Sequence, residues 1–408
     1  MKYLSIKALR ISAIFGIIAF VTVALLLKTG AVKAAPLATN CKWKAFSTVM
    51  PTGAISTNFV GEAAIASTNV WAVGYYIDAS NNVLTLIEQW NGQQWSVVSS
   101  PNPTGATNNH LVTASATSAN DVWAAGYYFD TTTNTNEPLI EHWDGTSWSI
   151  ISSPNTGTPN NLIAAITAIS TSDAWAVGSA DTTNGQNTQP LLEHWNGTQW
   201  KLVTAPTPSQ TVDNSFTSVA ALSATSIWVV GSSYTTSQTT VTLTEHLSGT
   251  KWSVIASPSP GTGSLGSLLN GVTTLSSGNV WAVGQYYPSN SSTSEETLVE
   301  HWTGSRWKVV ASPNSPSGVS GNGLFSVTSE TKTNIWAVGA YYDSQSNSQV
   351  LAEHWNGKTW NIVNAPNPGT LENLAWSVAR IPATSRVWLV GFTSSSSGSG
   401  QALSERYC

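Results

Sequence analysis

Apolar and polar residues alternate in short runs along most of the chain, and the runs come in fours. Between Asn161 and Thr204 the first run is Asn161–Ser170 (NLIAAITAIS), followed by the polar turn Thr171-Ser172-Asp173. The second is Ala174–Ala180 (AWAVGSA), followed by a Thr/Asn/Gln-rich loop. The third is Pro190–Trp195 (PLLEHW), closed by Asn196-Gly197, and the fourth is Gln199–Thr204 (QWKLVT), stopping before Pro206. Short runs rich in Val, Ile, Thr and Trp between Gly, Pro and Asn predict β-strands. Asn-Gly between two such runs predicts a tight hairpin, and no helical periodicity competes over these windows.

This unit repeats. Val/Ile-Trp-Ala-Val-Gly and its variants recur with the Trp at 71, 123, 175, 228, 281, 336 and 388, a period of 52–55 residues. A second Trp recurs at 43, 95, 148, 200, 252, 307 and 360, and the Glu of Glu-His-Trp or a close variant at 88, 141, 193, 245, 300, 353 and 405. Four antiparallel strands repeated seven times predict an all-β fold, a seven-bladed β-propeller. A solenoid would need atypical capping repeats at its ends. Here the ends are complementary: the chain begins with a lone fourth strand at Lys42–Phe46 and finishes with strands one to three through Tyr407. Joining them completes the last blade and leaves no open sheet edge.

The two cysteines fit this closure. Aligned on Glu193–Trp200, Cys408 takes the place of Asn196 and Cys41 that of Thr198, so they flank the tip of one hairpin. Residues so placed lie within reach of a disulfide.

Composition narrows the function. Twenty Trp and only 9% charged residues indicate an ordered core rather than disorder. The first 35 residues hold five of the sixteen basic residues and no acid, leaving eleven basic against twenty-one acidic residues in the rest. With no basic run there, nucleic acid is not an expected partner. Lys2, Lys7 and Arg10 precede the apolar run Ile11–Leu27, and Ala31-Val32-Lys33-Ala34-Ala35 follows it. This is the signature of an export signal over residues 1–35, with cleavage expected after Ala34. An uncleaved anchor is the other reading of a 17-residue apolar run, and it would be the only membrane contact. Residues 36–408 then form the propeller, in an extracellular or cell-surface setting where a disulfide persists.

The Trp-Ala-Val-Gly and Glu-His-Trp-Asn-Gly motifs resemble Trp-rich propeller repeats of exported bacterial proteins, grouped loosely with kelch-like and sialidase-like propellers. The resemblance covers residues 41–408 and implies architecture, not a reaction.

Within a four-stranded meander, the first-to-second and third-to-fourth turns share one face and are short here. The second-to-third loops and blade links share the other, with long stretches at Asp130–Pro138, Asp181–Pro190, Ser289–Glu296 and Thr393–Gln401. Variable loops on a rigid scaffold are the expected binding face. Tyr75, Tyr76, Tyr127, Tyr128, Tyr234, Tyr286, Tyr287, Tyr341 and Tyr342 follow the second-strand Gly toward it, and Tyr suits recognition surfaces. The competing role for them is packing between blades. Asn58, Asn109, Asn161, Asn214, Asn322 and Asn373 open the first strand in six blades, with Ser267 in the fifth. They are expected either as a polar ring at the channel mouth or as turn residues.

The Glu and His of Glu-His-Trp occur one per blade, too dispersed for a metal site, so no metal or cofactor is expected. Each Glu is expected to satisfy an N–H between blades. Glu62, His110, Glu372, Trp376 and Arg380 break the repeat on or beside the channel-lining strands, and a reaction would be sought there first. The leading expectation is a binding module for a glycan or an extracellular protein on the long-loop face. A carbohydrate-active hydrolase or lyase at the channel mouth and a structural envelope protein are the alternatives.

Overall fold

The structure is a computed structural model that describes residues 41–154, 156–182, 187–289, 295–315, 320–396, 398 and 400–408. The expected export signal at 1–35 lies outside these. Seven four-stranded antiparallel sheets follow one another around an axis. Six are consecutive meanders. The seventh orders its strands as Glu372–Arg380, Val387–Ser394, Gln401–Tyr407 and then Trp43–Ala45 from the other end of the chain, with Trp43 opposite Tyr407. Blades are numbered here from the one beginning at Ala54, so blade 7 carries both ends. The Cys41–Cys408 disulfide ties them, with a Cα separation of 5.3 Å.

The two Trp series meet across every blade boundary. The second-strand Trp of each blade lies edge-on to the fourth-strand Trp of the next: Trp71 on Trp148 (5.4 Å), Trp123 on Trp200 (5.3 Å), Trp175 on Trp252 (5.5 Å) and Trp228 on Trp307 (5.3 Å). Trp281 on Trp360 (5.7 Å), Trp336 on Trp43 (5.4 Å) and Trp388 on Trp95 (5.4 Å) complete the ring. The hydrophobic core is accordingly seven clusters, each built from two neighbouring blades. A single blade has no core of its own. A third series, Trp90, Trp143, Trp195, Trp302 and Trp355, donates its indole N–H to a carbonyl in the first-to-second turn. These three series use nineteen of the twenty Trp, and the remaining one is Trp376.

The histidines serve the same boundaries. His142, His194, His246, His301 and His354 stack on their own blade's second-strand Trp at 4.2–4.5 Å. Each also hydrogen-bonds the side chain that opens that strand, as His142 does with Asp121 (2.6 Å) and His301 with Asn279 (2.8 Å).

All seven motif glutamates are fully buried. Ser hydroxyls from the preceding blade link donate to Glu141 (2.9 Å), Glu193 (2.8 Å) and Glu353 (2.6 Å), and the Val49 amide donates to Glu88 (3.1 Å). Where the equivalent residue is Ala205 or Ala365, Glu245 and Glu405 have no hydrogen-bond partner in the structure. The expected N–H partner therefore holds only at Glu88. Desolvation pushes the carboxyls up to about 8 at Glu88, Glu141, Glu245, Glu300, Glu353 and Glu405 and to about 7 at Glu193.

Two expectations follow. A carboxyl raised on folding stabilises fully below its unfolded pKa and loses that contribution as pH rises through its folded value. The melting temperature should therefore fall from about pH 5 to about pH 8 and then level off, and Glu245→Gln should flatten the slope and raise stability at the alkaline end; a melting temperature that rises over this range contradicts the assignment. Replacing both cysteines by Ser removes a closure spanning 367 residues. It should lower unfolding free energy by up to about 5 kcal/mol, read by denaturant titration, with the circular dichroism of the ring retained.

Candidate functional site

The channel originates in the repeat motif itself. The Gly of each Trp-Ala-Val-Gly variant faces an inner-strand carbonyl so closely that a Cβ would lie 1.8–2.0 Å from it, from Gly74 over the Asn58 carbonyl to Gly391 over that of Leu374. Just beyond that contact each inner strand carries a register shift, a β-bulge of one extra residue. The bulged residues are Val60, Val112, Ala164, Thr217, Asn270, Phe325 and Trp376, and all seven line an axial cavity of about 120 Å³. The ring is lopsided. Small or aliphatic side chains occupy blades 1 to 4, whereas Phe325 and Trp376 stack on each other at 5.1 Å in blades 6 and 7.

Above this aromatic pair, toward the long-loop face, polar groups converge on Gly323. Phe325 Cε1, Gln285 Oε1 and Glu295 Oε1 lie 3.0, 3.3 and 3.5 Å from where a Gly323 Cβ would be. The other carboxyl oxygen of Glu295 and the Tyr342 ring lie within 3.0 Å of the same point at Gly321. Asn270 donates through Nδ2 to Gln285 Oε1 (2.6 Å) and to the Leu324 carbonyl (2.9 Å). Glu295 is raised above the usual carboxylate range by desolvation, with the Tyr287 hydroxyl donating to it and drawing it down. Tyr287 is itself pushed up to about 12, by desolvation first and Glu295 second. The result is an aromatic wall, a carboxamide pair, a phenol and a carboxyl beside two glycines.

A second cluster lies at blades 1 and 2. His110 packs between Tyr75 (4.4 Å) and Tyr127 (4.9 Å), and Asn58 donates to the Tyr75 hydroxyl (3.1 Å). Burial lowers the His110 pKa, favouring the neutral imidazole.

Strand alternation divides the tyrosines. Tyr76, Tyr128, Tyr286 and Tyr341 all stand two residues after the motif Gly and pack into the interblade clusters. Tyr286 also donates to Glu296 (2.6 Å). Tyr75, Tyr127, Tyr287 and Tyr342 stand one or three residues after it and face the other way.

The Asn set is not an open ring. Asn109, Asn161, Asn214, Asn322 and Asn373 are buried and bond to blade links or to the second strand. Examples are Asn109 Nδ2 to the Val83 carbonyl (3.0 Å), Thr156 to Asn161, Ser233 to Asn214 (2.7 Å), the Ser315 amide to Asn322 (2.9 Å) and the Gly369 amide to Asn373 (2.8 Å). Asn58 is one residue out of step: Thr57 occupies the equivalent position in blade 1, accepting from the Ala402 amide (2.9 Å). Nor are the second-to-third connections long loops throughout. The strands continue into them, leaving four-residue turns at 79–82, 131–134 and 236–239. Asp78 and Asp130 cap backbone amides in the first two of these turns, and Asp343 does the same in the 343–347 connection of blade 6.

The five repeat-breaking residues are spread along the axis rather than gathered. His110 and Glu372 are at the long-loop end, where Glu372 accepts from Ser394 (2.8 Å). Trp376 is at the bulge ring. Glu62 stands where the other blades have Ala, Ile or Val, and desolvation raises it well above the usual range. Arg380 lines a second cavity of about 400 Å³ at the opposite mouth. Among the described residues no three of His, Cys, Asp or Glu gather to hold a metal ion.

The basic residues are confined to one end of the channel. Every Lys and Arg of the ring lies in or beside a first-to-second or third-to-fourth turn: Lys42, Lys44, Lys201, Lys251, Arg306, Lys308, Lys332, Lys358, Arg380, Arg386 and Arg406. Asp78, Asp130, Glu137, Asp181, Asp213, Glu295, Glu296, Asp343 and Glu372 lie at the long-loop end, where among the described residues there is no Lys or Arg.

No protein-family model matches the chain, and no curated protein matches it in sequence. Solved structures resemble it. One is YCF48 bound to a D1 peptide (15% identity, 93% of this chain and 99% of that one, TM-score 0.51). Another is the GH74 xyloglucanase from Xanthomonas campestris (11% identity, 89% of this chain and 55% of that one, TM-score 0.56). A third is a PL25 ulvan lyase bound to -[GlcA(1-4)Rha3S]- (12% identity, 83% and 92%, TM-score 0.51). At these identities the likeness is one of fold.

Proposed function

We propose that this protein is an exported, non-enzymatic binding module that holds a neutral glycan at the long-loop mouth of the channel, beside blades 5 to 7. The observation that carries the reading is the convergence of Phe325, Gln285 and Glu295 on Gly323, with Trp376 stacked behind Phe325. An aromatic face offers apolar contact to sugar C–H groups, while amide, phenol and carboxyl groups exchange hydrogen bonds with hydroxyls. Acids without a neighbouring Lys or Arg repel uronates and sulfates, so neutral sugars fit and acidic ones do not. Export agrees with the disulfide, which needs an oxidising compartment. An extracellular protein segment is the next ligand class this surface suits.

The hydrolase reading has one observation in its favour, the raised, half-buried carboxyl of Glu295, which is the property of a general acid. Hydrolysis also needs a second carboxyl across the cleft, and Glu296 is engaged by Tyr286 instead.

The test is a glycan array probed with the purified ring and with Trp376→Ala, Tyr287→Phe and Tyr127→Ala variants. Saturable binding to neutral oligosaccharides, weakened about tenfold or more by Trp376→Ala and little by Tyr127→Ala, is expected. Binding confined to acidic glycans, or unaffected by Trp376→Ala, contradicts the reading. Release of new reducing ends from a bound glycan favours the hydrolase.

A further inference from the structure

The basic end of the channel is itself unevenly charged. Nine of its eleven Lys and Arg residues belong to the consecutive blades 5, 6 and 7. Arg306 and Lys358 sit in third-to-fourth hairpins, Lys332 and Arg386 in first-to-second turns, all exposed. The carboxyl that shares this sector, Glu330, is held by Asn334 Nδ2 at 2.6 Å. Blades 2 and 3 carry Asp121, Asp144 and Asp173 at the same end, Asp121 and Asp173 bonded to histidines and Asp144 to the amides of its own hairpin.

The chain enters the ring inside this sector. Cys41 and Cys408 stand at the third-to-fourth hairpin of blade 7, so residue 41 starts on the short-turn face among these cations. The forty residues before it contain five more Lys and Arg, no acid and the apolar run Ile11–Leu27. A predominantly basic sector around the point where an apolar, basic segment precedes the ring is complementary to a lipid surface of opposite charge. The opposite face, with its carboxyls, would be repelled from the same surface.

We propose that the short-turn face of blades 5 to 7 docks on anionic lipid headgroups, turning the acidic long-loop mouth outward. This orientation is independent of whether that mouth binds a glycan.

The test uses the chain from Pro36 onward, which contains the whole closed ring, in co-sedimentation with vesicles. Binding to phosphatidylcholine/phosphatidylglycerol vesicles but not to phosphatidylcholine alone is expected, with release at high salt. The triple variant Arg306→Gln/Lys332→Gln/Lys358→Gln should bind on the order of 100-fold more weakly. A Lys201→Gln/Lys251→Gln variant on blades 3 and 4 should lose much less. All variants are checked for an unchanged melting temperature, since these side chains are exposed. Equal binding to both vesicle types, triple-variant binding equal to wild type, or retention on heparin without vesicle binding each overturns the proposal, the last in favour of a soluble polyanion.

Discussion

Each blade is bound to the next by one indole edge against another, and everything else in the ring is arranged around that contact. An aromatic pair of this geometry contributes about 0.5–1.5 kcal/mol beyond its buried area, and it occurs at all seven boundaries. Because the partner Trp always belongs to the neighbouring blade, no blade can bury its apolar face alone, and the boundary between blades 6 and 7 needs Trp43 from the far end of the chain. Closure is thus a condition of stability, and the disulfide fixes what the indoles already require. The buried Glu, the stacked His and the turn-bound third Trp occupy the flanks of the same boundary.

The same repetition explains where function can reside. The motif Gly permits a bulge in every inner strand, and the bulge turns one side chain per blade toward the axis. With seven equivalent positions, a ligand site has to come from differences among them. The differences are greatest in blades 5 to 7, where Asn270, Phe325 and Trp376 replace smaller or aliphatic neighbours. Charge obeys a second asymmetry, between the ends of the channel, and the two together give the disc an orientation as well as a site.

The strand order, blade count, closure and disulfide were legible in the sequence because each rests on a fixed spacing. Asn161–Ser170 is an inner strand with the bounds the pattern predicts. The roles of the tyrosines were not, because one residue of offset after the motif Gly reverses the face. Tyr75 meets His110 whereas Tyr76 enters a core cluster. The burial of the Asn side chains was equally hard to read: the inner strands of blades 1, 2 and 4 begin several residues before the Asn, which therefore lies inside the sheet. Gln285, Glu295 and Phe325 carried no local signal, since they meet only where blade 5 packs on blade 6. Trp376 did carry one, as the single Trp outside all three series.

The most direct test of the account is hydrogen–deuterium exchange of the ring with and without a saturating neutral oligosaccharide that it binds. Protection confined to the inner strands and long-loop edges of blades 5 to 7, around residues 267–271, 284–289, 321–326 and 373–377, is the predicted result. Protection centred on Tyr75, His110 and Tyr127, or on the short-turn face, would contradict the assignment of function to the lopsided side of the channel.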